Sequence, residues 1–168
     1  MNKKKQFVVW GLGRFGASVA ETLVGMGHEV LGIDHDEEVV QEMADKLTHV
    51  VVSEAIDETV VKSLGLRNFD AAIIAIGDLE PSLLCCMILK EAGMATILAK
   101  ASSEIHGKML KKSAPRPSSS RNGTWGGGLV TVWALPTSST LWNCPTTFAL
   151  LNWMLLLGLS ARAWSTLM

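Results

Sequence analysis

Apolar positions in the first two-thirds of the chain follow two alternating rhythms. Phe7-Val8-Val9-Trp10 is a short unbroken apolar run that stops at a glycine, the pattern of a strand buried on both faces. From Arg14 to Met26 the apolar residues Phe15, Val19, Leu23 and Met26 recur at helical spacing. His28 to Asp34 is a second strand carrying Val30, Leu31 and Ile33. Asp36 then offers an N-cap for a helix through Val39, Val40, Met43 and Leu47. His49 to Val52 predicts a third strand, and Asp57 to Leu64 a short helix closed near Gly65. Ala71 to Ile76 is a fourth strand, and Pro81 suits the first turn of a helix through Ala92. Thr96 to Ala99 is a fifth strand, followed by a helix from Ser103 to Lys112. Strands alternating with helices through short connections predict an α/β fold, a doubly wound parallel sheet of about five strands.

Composition breaks where the periodicity stops. All 16 acidic residues lie between Glu21 and Glu104, and only three of the 15 basic residues (Arg116, Arg121, Arg162) follow Lys112. Five of the six Trp and four of the five Pro also fall in residues 113–168. Soluble domains carry about 25% charged residues, so this tail does not read as part of the domain formed by residues 1–112. A formal net charge of −1 argues against a nucleic-acid binder, which needs a basic surface to displace counterions. Three cysteines, two of them adjacent (Cys85, Cys86), make no disulfide framework and suit a reducing cytoplasm. The apolar run after Met1 to Gln6 is too short for a secretory signal, so none is expected.

Gly11-Leu12-Gly13-Arg14-Phe15-Gly16 is a G-x-G-x-x-G motif between a strand and a helix, followed by Asp34 at the end of the second strand. In this context the fold is Rossmann-like. Gly11 permits a tight turn, Gly13 lets backbone amides approach a pyrophosphate, and Gly16 lets the helix pack closely on its strand. Asp34, with His35 beside it, can accept hydrogen bonds from ribose hydroxyls and would repel a 2′-phosphate. NAD(H) or an adenine nucleotide is therefore expected rather than NADP(H). Arg14 either adds charge to the phosphate site or is a solvated first-turn arginine. Ala75-Ile76-Gly77 ends the fourth strand where the strand order reverses and is expected to line the ligand. Ala55 and Ile56, in the segment Ser53 to Asp57 after the third strand, would flank the adenine, with Asp57 serving as a helix cap.

Groups for catalysis are scarce. A hydride-transfer enzyme needs a substrate domain and an acid–base group near the nicotinamide. The absence of tyrosine excludes a Tyr-x-x-x-Lys dehydrogenase. His28, His35, His49 and His106 are not spaced as metal pairs, and His106 on the last helix is expected to be solvated. Cys85 and Cys86 lie among Leu83, Leu84, Met87, Ile88 and Leu89, which implies buried packing rather than reactivity.

The strings FVVWGLGRFGASVAETLVGMGHEVLGID, LGLRNFDAAIIAIGD and LLCCMILKEAG resemble the cytosolic regulatory subunits of Ktr/Trk potassium-uptake systems, over about residues 5–112. The resemblance implies an RCK (KTN) nucleotide-binding domain that binds ATP, ADP or NAD(H) at its glycine loop. It also implies a homo-oligomeric ring, commonly an octamer, at the inner face of the membrane on a potassium channel subunit. Gly11, Gly13, Arg14, Phe15, Gly16 and Asp34 carry the family's ligand positions, with Arg14 as a phosphate contact. A fragment of an NAD-dependent oxidoreductase lacking its substrate domain is the alternative.

The sequence departs from the family pattern at Ser113. Permitted codons for SAPRPSSSRNGTWG (113–126), regrouped after one added A, translate as IGAETVIFPERDMG, which resembles the family's next segment. Every TCN serine codon regroups to a codon with central T, so Ser118-Ser119-Ser120 conceals an apolar strand. Lys111-Lys112 can be a run of A from which one base is easily lost. The expectation is a frameshift after Lys112, leaving a non-native or disordered tail, no sixth strand, and the fifth strand as an unpaired edge. Phe148 to Leu159 is apolar but shorter than the ~20 residues of a membrane span, and would be an aggregation hazard.

Overall fold

The computed structural model describes residues 4–54, 56–94, 96–113 and 129–134. These all fall within one compact unit, Lys4–Leu135. Five strands alternate with helices as the periodicity predicts: β1 (Gln6–Trp10), α1 (Arg14–Gly25), β2 (Glu29–Asp34), α2 (Glu37–Met43), β3 (His49–Val52), α3 (Glu58–Ser63), β4 (Ala71–Ile74), α4 (Leu79–Glu91), β5 (Thr96–Ala101) and α5 (Glu104–Ser113). A short 3-10 turn at Leu66–Asn68, which the pattern did not predict, precedes β4. A further strand, β6 (Leu129–Ala134), completes a parallel sheet of order β3-β2-β1-β4-β5-β6.

Local chemistry accounts for the element ends. Asp36 caps α2 by accepting from the Glu38 and Val39 amides at 2.9 and 3.5 Å. Asp57 caps α3 from the Val60 amide at 2.9 Å, the capping role expected of it. Helix α2 stops at Met43, short of the pattern's Leu47. The chain goes on in turns, with the amides of both Lys46 and Leu47 bonded to the Met43 carbonyl, and Leu47 is still buried. Phe7, Val8, Val9 and Trp10 are buried together, as a strand flanked by β2 and β4 requires. Trp10, Ile33, Ile74, Leu89, Ile97 and Leu110 belong to one continuous core, each such side chain contributing roughly 1.5–3 kcal/mol on burial.

Two expectations are corrected. The fifth strand is not an edge, because β6 pairs with it in register from Thr96↔Leu129 to Ala101↔Ala134. An exposed strand edge presents unpaired amides and carbonyls that recruit any compatible segment. Leu129-Val130-Thr131-Val132 is uncharged and rich in β-branched residues, so it suits that slot. Apart from this strand, the tail, including Ser118 to Ser120 and Phe148 to Leu159, lies outside the described residues. His106 is also buried rather than solvated. It lies one helical turn before buried Leu110, on the face of α5 turned to the sheet. Its Nδ1 accepts from the Ser102 amide at 3.2 Å. Its own amide donates to Ser103 Oγ at 3.1 Å.

Candidate functional site

The strand order reverses between β1 and β4, so the loops leaving their carboxyl ends diverge and open a crevice. A cleft of about 460 Å³ lies there, lined by Trp10, Gly11, Asp34, His35, Ser53, Glu54, Ile56, Ile76, Asp78 and Pro81.

The turn into α1 is shaped by two glycines. Gly11 has φ +92°, a conformation side chains resist, and a Cβ there would come within 3.1 Å of the Ala75–Ile76 backbone. A Cβ on Gly16 would sit 1.8 Å from the Gly11 carbonyl oxygen, so only glycine lets α1 start this close to β1. Gly13 faces open space and caps α1 without a side-chain hydrogen bond. The first amides of a helix have no intrahelical partner, and the first turn of α1 carries no acidic residue. That leaves a positive dipole end and open amides at the mouth of the crevice.

Asp34 sits under this turn, its side chain 8% exposed. Its Oδ2 accepts from the Leu12 amide at 2.5 Å, tying the glycine loop to the end of β2. Its Oδ1 accepts from the Asp36 amide at 3.1 Å, and His35 Nδ1 stands 2.9 Å from the same oxygen. Leu12 turns its side chain inward, where its Cδ atoms would meet a Cβ on Gly32 at 3.0 Å.

Of the residues predicted from sequence, Gly11, Asp34, His35, Ile56 and Ile76 line the cleft together. Leu12, Gly16 and Ala75 are buried beneath it. Gly13, Arg14 and Gly77 are exposed, and none of the three is on the cleft wall. Phe15 is partly buried with Lys100 Nζ 5.6 Å from its ring centroid, a cation–π contact that sequence spacing does not reveal. Ala55 lies outside the described residues. Trp10, Asp78 and Pro81 were not predicted. Their signal was position: Trp10 ends β1, Asp78 lies in the loop after β4, and Pro81 is in the first turn of α4. Ser53 and Glu54 belong to the segment assigned to the adenine, without having been singled out in it.

The cleft wall carries three carboxylates, Asp34, Glu54 and Asp78, so the wall itself does not attract an anion; the positive end of α1 beside it does. No group of His, Cys, Asp and Glu able to hold a metal occurs among the described residues. Burial pushes the Cys85 thiol well above its ordinary range and raises Cys86, which keeps both protonated and inert.

A parallel sheet with this strand order, a glycine turn opening the first helix and an acidic residue ending the second strand define a Rossmann-like domain. The TrkA-N domain family matches residues 7–115, and the chain belongs to it. It is 48% identical over 110 residues to the Ktr system potassium uptake protein C of Bacillus subtilis, covering 65% of this chain and 50% of the relative. With protein A of the same system and organism it is 46% identical over 111 residues, covering 66% and 50%. The chain thus spans about half the length of these curated relatives. Among solved structures, the TrkA-N domain of an Escherichia coli inner membrane protein superposes with a TM-score of 0.62 at 14% identity, covering 94% of this chain and 98% of that one. The GsuK channel bound to NAD superposes with 0.59 at 13%, covering 67% and 20%. At such identities these two likenesses concern the fold. No helix among the described residues is long and apolar enough to cross a membrane.

Proposed function

We propose that the chain derives from a cytosolic nucleotide-binding regulatory subunit of a potassium-uptake channel, with the cleft above β1 and β4 as its ligand site. The observation that carries this is the placement of the buried Asp34 carboxylate, at the end of β2, directly beneath the glycine turn whose α1 amides are open, with the Leu12 amide joining the two. Diphosphate would lie over Gly13 and the start of α1, with Arg14 at its rim. Ribose would reach Asp34, and the base would lie toward Ile56. The ligand is an adenine nucleotide (ATP or ADP) or NAD(H). Membership of the TrkA-N family and the names of the Ktr relatives support the potassium role. The structurally similar GsuK channel bound to NAD and GsuK bound to ADP support the ligand class. The function is regulatory rather than enzymatic: binding shifts the population of channel states by its differential affinity for them.

The partner is a membrane potassium channel subunit, with the chain at the inner face of the membrane and assembled as a homo-oligomeric ring. Leu84 and Met87 on α4, and Ile105 and Met109 on α5, are 42–68% exposed on two helices that pack together. Exposed apolar side chains clustered this way suit a contact between copies. Residues 113–168 are a frameshifted translation, and this copy is impaired.

Calorimetry on the full chain with ADP, ATP and NADH tests the site. Saturable binding that Gly13→Glu abolishes is expected, and no heat with any of the three removes the proposal. Leu84→Glu with Met87→Glu should lower the mass seen by sedimentation, and an unchanged mass assigns the patch elsewhere. NADH consumption by an intact relative would favour the oxidoreductase alternative.

A further inference from the structure

Asp34 is more heavily engaged than a ribose-gripping carboxylate needs to be. A carboxylate offers about four acceptor positions, two on each oxygen. On Oδ1 one is taken by the Asp36 amide at 3.1 Å, and His35 Nδ1, 2.9 Å away, stands over the other. On Oδ2 one is taken by the Leu12 amide. The two amide bonds are part of the backbone turn and cannot leave without dismantling the loop. The His35 contact is different: the imidazole is 82% exposed and lines the cleft, and no backbone bond holds it there. A ribose diol held by both hydroxyls needs one position on each oxygen. Only Oδ2 has one open.

Resting on the nucleotide-site reading above, we propose that His35 is a specificity-determining residue of this cleft. By donating from Nδ1 to Asp34 Oδ1, it leaves the carboxylate able to hold one hydroxyl, and a ligand with a free 2′,3′-diol must displace it. Wild-type protein therefore discriminates weakly between a ribose and a dideoxyribose. The other titratable groups on the wall, Glu54 and Asp78, are acceptors when ionised and offer His35 no competing donor. Asp36, Glu37 and Glu38 at the start of α2 are likewise acidic. The basic groups at the glycine loop are exposed Arg14 and Lys100, whose Nζ lies over the Phe15 ring.

The test is calorimetric titration of the full chain with ADP and with 2′,3′-dideoxy-ADP, for wild type, His35→Ala and His35→Asn. Removing an exposed charge-assisted contact should raise ADP affinity about two- to fivefold in His35→Ala, while dideoxy-ADP affinity stays unchanged. Asparagine keeps a donor near the Nδ1 position, so His35→Asn should behave as wild type. If both ligands respond alike to His35→Ala, or ADP binds more weakly, His35 does not act through the diol and the inference is overturned. If wild type binds neither ligand, the nucleotide-site proposal itself fails and takes this one with it.

Discussion

Gly16 has no room for a side chain, whereas Gly13, three residues earlier, has all the room it needs. The same motif therefore contains one glycine demanded by packing and one left open for a ligand. Gly16→Ala should destabilise the fold by about 2 kcal/mol or more, because the colliding atom is backbone and cannot rotate away; urea denaturation reads this directly. Gly13→Ala should change stability by no more than about 1 kcal/mol, the ordinary cost of a solvent-facing change, and act on ligand affinity instead. Histidines make a second contrast. Burial lowers the basicity of His106, and burial with nearby Lys5 lowers that of His28. A histidine depressed in the fold is neutral there while the unfolded chain takes up a proton near pH 6.5, so unfolding gains protons as pH falls. Their stabilising share is complete above about pH 6.5 and is lost progressively below it. The denaturation midpoint should drop between pH 7 and 5.5, and His106→Gln should flatten that slope. Cys85, Cys86 and the Asp57 cap were legible from neighbouring residues alone. His106 was not, because its burial depends on what α5 packs against.

Element boundaries show where local pattern ends and pairing begins. Strand β4 stops at Ile74 although the apolar run continues to Ile76. The Ala75 amide still bonds the Trp10 carbonyl at 2.7 Å, and there the chain turns into the crevice. Strand β5 overshoots its predicted end at Ala99 and runs to Ala101. Its pairing with β4 ends at Ala99, while pairing with β6 continues to Ala101. The extra length therefore comes from the neighbour. Helix α2 has seven residues and leans on its cap, Asp36, which satisfies two first-turn amides. Asp36→Ala should cost about 1 kcal/mol in chemical denaturation. That loss should exceed the one from Glu37→Ala, which removes no cap.

At the scale of the whole molecule, a domain legible through Lys112 meets a tail of different chemistry. Loss of one base after Lys112 is proposed as its origin, and sequencing the gene decides it: an intact frame across Lys112 rules the shift out. Strand β6 shows that even such a tail can occupy the open edge of the sheet. Shortening the chain to residues 1–113 should therefore speed hydrogen exchange of the β5 amides and promote association at the bared edge, read by mass spectrometry and light scattering. Unchanged β5 protection would mean that β6 adds nothing to the sheet.

The strand–helix alternation, the glycine turn, the acidic end of β2 and the helix caps follow from residues close together in the chain, where periodicity, φ preference and short-range hydrogen bonding act without help. The occupant of the sixth slot, the burial of His106, the meeting of Trp10 and Pro81 on one wall, and the engagement of Asp34 by the Leu12 amide needed the tertiary structure. Each depends on which surfaces distant segments bring together, and a linear pattern does not record the partner that a strand edge, a helix face or a carboxylate will find.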